Sequence, residues 1–111
     1  MMRHRHSIAN EELRHREFAI KHLMELIDNG IKVISEHSIS NDTADRWLEY
    51  SQRIVEISSR SYDSNIYLNY LRLIMSVHTE MVNYPHQKIK TCLDYLLEVV
   101  KILHNNQEQL A

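Results

Sequence analysis

Apolar residues recur along this chain with a helical period, in four runs separated by polar breaks. In the first run, from Ile8 to His37, Leu13, Ile20, Ile27 and Ile34 fall seven apart, and Leu23, Met24 and Ile31 fill the turns between them. Ser7 or Asn10 caps this run, and Glu11, Glu12 and Glu17 sit near its start, where a helix dipole favours anions. Asp28-Asn29-Gly30 carries the residues of a helix stop, with Gly at the position just past the end. The apolar register nevertheless resumes unbroken at Ile31 and Ile34, which favours one long helix over a break that would leave a short element after Gly30.

The second run, Thr43 to Ser58, has Asp42 or Thr43 as its cap and a stripe of Trp47, Tyr50, Ser51, Ile54 and Val55. Its other face carries Arg46, Glu49, Arg53 and Glu56, with Glu49 and Arg53 at the favourable i,i+4 spacing. The third, Asp63 to Val82, is capped by Ser61 or Asp63 and aligns Ile66, Tyr70, Ile74, Val77 and Met81, flanked by Tyr67, Leu71 and His78. Asn83-Tyr84-Pro85 ends it and begins the fourth, because Pro fits the first helical position and pushes its predecessor extended. That last run, Pro85 to about Asn105, repeats Ile89, Leu93, Leu96, Val100 and Leu103 as a heptad seam.

The pattern predicts an all-α fold: one domain over 1–111, a four-helix antiparallel bundle with a long first helix and few loops, with 1–7 and 107–111 frayed. Composition agrees. One Gly and one Pro stand where average usage would give roughly eight and five or six, too few for the turns of a β-fold. At 43% apolar and 25% charged residues, the chain can fill a core without staples. At 1.5 Å per residue the first helix would be ~45 Å long and the others ~24 to 31 Å. The excess would leave part of its stripe bare, and a second copy or another protein would cover it. Leu13, Ile20, Leu23, Ile27, Ile31 and Ile34 are therefore the expected interface. Tyr62 and Tyr67, off the main stripe of the third helix, are expected to join it, since Tyr favours surfaces that are half apolar and half wet.

Charge and chemistry alter this little. The lone Cys92 forbids an internal disulfide, and no run is apolar enough to serve as a signal peptide or membrane span, so a cytoplasmic location is expected. Net charge is −2, but residues 1–22 carry +2 and the rest −4. Arg3, Arg5, Arg14, Arg16 and Lys21 form the only basic cluster, a nucleic-acid surface in a second alternative reading, though Phe18 alone could stack there. Glu12 and His15 have the spacing of a bundle di-iron ligand pair, but no second such pair exists, and no metal or cofactor is expected. The only Gly leaves no phosphate loop.

Two segments, Arg16 to His22 and Arg72 to His78, resemble the Arg-to-His spacing of the all-helical HEPN ribonucleases. The resemblance covers two residues, and eight Arg with eight His supply about two such matches by chance. It would imply metal-independent RNA cleavage by Arg72 and His78, paired across a dimer. The main expectation is instead a non-catalytic interaction module, because the apolar stripes carry too few polar residues to organise an active site.

Overall fold

A computed structural model describes residues 2–36, 38–60 and 62–110, with side chains within 10–105. Four helices follow one another: α1 (Met2–Ile34), α2 (Asn41–Ser59), α3 (Ser64–Glu80) and α4 (Pro85–Leu110). Six residues separate the first pair and four each of the others, so successive helices turn back on themselves. α1 packs on α2 and α4, and α3 packs on the same two from the far corner. α2 and α4 meet across the short diagonal, and α1 and α3 share no contact among the described residues. No helix among them is long and apolar enough to cross a membrane. The side chains of the segments expected to fray, 1–7 and 107–111, lie outside the described residues, as do His37 and Ser61.

The core faces follow the periodicity except at Met24, Ile31 and Tyr50, which belong to the expected stripes and stand exposed. Ile66, Tyr70, Ile74 and Val77 of α3 are buried, and so is every member of the α4 seam from Ile89 to Leu103. Caps hold the helix starts. Ser40, one turn earlier than expected, accepts a bond from the Thr43 amide at 3.0 Å and starts α2. Asp63 accepts from the Asn65 amide at 2.9 Å and starts α3.

α1 runs through Gly30 without a break. Gly30 serves packing. A Cβ there would come within 2.7 Å of both Leu93 Cδ2 and Trp47 Cζ2, so α2 and α4 press on α1 at that turn. The neighbouring Asn29 is used as well: its Oδ1 accepts a bond from the Trp47 indole at 3.0 Å. The apparent stop signal is thus the seat of the Trp47 ring.

The interface expected on α1 needs correction. α4 does not end near Asn105; it continues to Leu110 beside α1, and α1 begins at Met2. α1, with 33 residues, is thus paired with an α4 of 26, longer than α2 and α3. Ile20, Leu23 and Ile27 are buried within the chain and cannot meet a partner without unfolding. Leu13 and Ile34 are half-buried, which leaves Ile31, 47% exposed, as the most open member of that set.

Candidate functional site

α3 carries apolar residues on both faces. Opposite its buried face stand Leu68, Met75 and Val82, seven apart, with 48%, 70% and 56% of their surface exposed. Leu68 and Met75 lie on the helix itself, and Val82 lies in the turn after its C-cap, Met81. Leu71 borders them and is half-buried. α3 is also nearly uncharged: Arg72 and Glu80 are the only Asp, Glu, Lys or Arg in its 17 residues. α2 makes the contrast. Its exposed apolar residues, Tyr50 and Ile57, sit among the surface ion pairs Arg46–Asp42 at 3.2 Å, Arg53–Glu49 at 3.6 Å and Arg60–Glu56 at 2.7 Å. A helix in water normally keeps one polar face. On α3 that face carries Leu68 and Met75 in the open.

The tyrosines expected at a partner surface are engaged within the chain. Tyr62 is half-buried, and its ring lies under the Arg16 guanidinium, 5.4 Å from ring centroid to Cζ. The Tyr67 hydroxyl, beside Glu56, holds that carboxyl below its usual range, with Arg60 adding to the effect. Tyr62 thus ties the turn before α3 to α1, and Tyr67 ties α3 to α2.

Arg16 is only 5% exposed, and its Nε and Nη1 find no acceptor among the described residues. That removes it from any basic surface. Arg14 and Lys21 remain exposed, while the side chains of Arg3 and Arg5 lie outside the described residues. A buried guanidinium with two idle donors costs more than its stacking on Tyr62 returns. Arg16→Met, which keeps the stem and removes the charge, is expected to raise the unfolding free energy by about 1 kcal/mol in a urea titration. A loss of similar size would show that the guanidinium holds a partner. Beside Tyr62 lies a cleft of about 270 Å³ lined by Asn65, Asn69, Tyr95 and Ile102, with the Asp63 carboxylate at its rim.

Arg72 and His78 do not come together within the chain. They lie six positions apart, about 120° around the helix. Arg72 is exposed, whereas His78 turns toward α2, with Nδ1 3.7 Å from Asp45 Oδ1. The same carboxylate oxygen accepts a 3.1 Å bond from Lys88, whose side chain is almost wholly buried. This three-helix cluster of Asp45, His78 and Lys88 escapes sequence reasoning because Asp45 and Lys88 lie 43 positions apart. Cys92 is buried, and loss of water pushes its thiol up to about 12, partly offset by the Tyr70 hydroxyl; it stays neutral and unreactive. His22 rests on Phe18, with ring centroids 4.3 Å apart. Among the described residues no three His, Cys, Asp or Glu side chains converge as metal ligands.

Comparison with family models, curated proteins and solved structures finds no match. Function must therefore be argued from the chain's own surface. The Leu68–Met75–Val82 stripe was available as a second spacing of seven on a helix almost free of charge, offset by half a turn from the stripe that forms the core.

Proposed function

We propose that this chain is a small non-catalytic bundle that acts through protein–protein contact, with the outward face of α3 as its docking surface. One observation supports this most: Leu68 and Met75 stand exposed on the outward side of α3, beside polar residues of which only Arg72 and Glu80 carry charge. An exposed apolar stripe without interleaved charge is a feature of surfaces that meet another protein. The polar groups that are buried mostly satisfy one another, Ser51 with Tyr70 and Lys88 with Asp45, which favours a structural over a catalytic use of them. The unbridged, buried Cys92 fits a reducing compartment such as the cytoplasm.

The test uses charge on the stripe. Leu68→Glu/Met75→Glu should leave helical content unchanged and the melting temperature within a few degrees, since both side chains face water. It should also lose a partner that the wild-type chain retains from an extract of its own cells. A double variant that still retains the same partner, at the same salt, would sink the proposal.

A further inference from the structure

We infer that the cleft beside Tyr62 takes a small amphipathic carboxylic acid, whose apolar body fills the groove between α3 and α4 and whose carboxylate pairs with Arg16. Two independent features meet at this place. One is the cleft itself, about 270 Å³, formed where α3 begins and α4 runs on past it. Its volume lies just under the roughly 300 Å³ at which pockets for drug-sized molecules begin, so its ligand is small. The other is the Arg16 guanidinium, 5% exposed, with Nε and Nη1 lacking an acceptor among the described residues. The Tyr62 ring belongs to both: it lines the cleft, and Arg16 Cζ stands 5.4 Å from its centroid.

The charge of the ligand follows from which protein charge is screened. The Asp63 carboxylate at the rim is exposed, and one of its oxygens already accepts from the Asn65 amide at 2.9 Å, so water and its own helix take up much of its field. Arg16 has neither water nor an acceptor at two of its nitrogens, and its attraction for an anion is screened far less. A carboxylate arriving there removes a desolvation cost that the ligand-free chain carries, and it meets a cation already stripped of water. An amine would gain only Asp63 and would stand against Arg16.

The body of the ligand follows from the walls. Ile66, Val99 and Leu103 are buried residues that give an apolar floor, and Ile102, 53% exposed, stands at the mouth. Tyr95 is already spent, its hydroxyl donating to the Ile66 carbonyl at 3.2 Å. The Asn65 and Asn69 amides remain for polar substituents. Because Nε and Nη1 are covered, the carboxylate reaches them as the Tyr62 ring moves aside. Tyr62 is half-buried and lies in the turn between α2 and α3, outside any helix, so that turn should respond to binding.

The probe is 4-phenylbutyrate, with 4-phenylbutyramide as its uncharged counterpart, titrated into the full chain and followed through the backbone amide shifts of Tyr62, Asp63 and Ile66. The acid should saturate with a dissociation constant below about 1 mM, and the amide should bind about tenfold more weakly. Arg16→Met should bind the acid no better than the amide. Since that variant is expected to be the more stable one, its loss of binding is not a loss of fold. Ile102→Glu, a change at the exposed mouth, should weaken the acid more than the amide. Equal affinity for acid and amide, or undiminished acid binding by Arg16→Met, would overturn Arg16 as the anchor. An acid that binds Ile102→Glu as it binds wild type would overturn the groove as the seat of the apolar body. No saturable shift with either probe would overturn the site. A loss of stability in Arg16→Met without probe would also overturn it, by showing that the chain itself already occupies the two donors.

Discussion

Truncating Tyr70 to alanine is expected to cost about 4 kcal/mol of unfolding free energy, a large part of what holds a domain of this size together. Tyr70 is the largest fully buried side chain in the bundle. Its ring stacks on Tyr95 at 5.8 Å between centroids, and its hydroxyl donates to Ser51 Oγ at 2.7 Å. Ser51 in turn donates to the Leu48 carbonyl at 2.7 Å, so the hydroxyl pair is satisfied without water. Desolvation raises the Tyr70 hydroxyl far above its usual range, which keeps the phenol a neutral donor. Alanine removes the ring and leaves a cavity where α2, α3 and α4 meet. Tyr70→Phe keeps the ring and removes one bond; Ser51 still has Leu48 as an acceptor, so this variant is expected to lose only about 1 kcal/mol. Urea titrations of both variants, with slopes compared to exclude a change in cooperativity, check the pair. An alanine variant within about 1 kcal/mol of the phenylalanine variant would show that the core closes over the space.

The second large effect is asymmetric. Asp45→Ala is expected to cost about 2 kcal/mol, because it strands the buried Lys88 ammonium; the range for breaking a fully buried pair is higher, but Asp45 is half-exposed and water reaches the site. Lys88→Met, which removes the charge that needs a partner, is expected to fall within about 1 kcal/mol of wild type. The double variant should then resemble Lys88→Met alone rather than the sum of the two, because both substitutions act on one interaction. Equal losses from the two single variants would show that attraction, not the burden of an unpaired charge, governs this corner. His78 also faces Asp45, at 3.7 Å, so all three variants are compared at one pH and one salt concentration.

The sequence by itself determined the class of fold, the number of helices and the core stripes of α3 and α4, while on α1 and α2 it put Met24, Ile31 and Tyr50 inside and passed over Leu26 and Leu48. It could do so because helix formation and the inward face are local properties. The Ile89–Leu103 seam, the Ile66–Val77 stripe and the Pro85 start can each be read within one segment and recur in the bundle. The continuity of α1 was also legible, since the register did not shift across Gly30.

What only the tertiary structure decided is which apolar face meets which. A period of 3.6 residues says that a face is apolar, not what lies against it. Ile20, Leu23 and Ile27 looked like surplus surface, but with Gly30 seated against Leu93 the α4 seam runs back along α1 and they are buried. Leu68 and Met75 raised no signal while the stronger stripe of their own helix was being read, yet they are the side chains left outside. Asn29 and Gly30 have the composition of a stop, and become the seat of Trp47 only because a ring from α2 arrives there. Arg16 reads as one member of a basic cluster until its position buries it over Tyr62. In each case the deciding contact joins residues on different helices. Such contacts depend on helix length and placement, which local propensity leaves open and which are settled when the chain closes on itself.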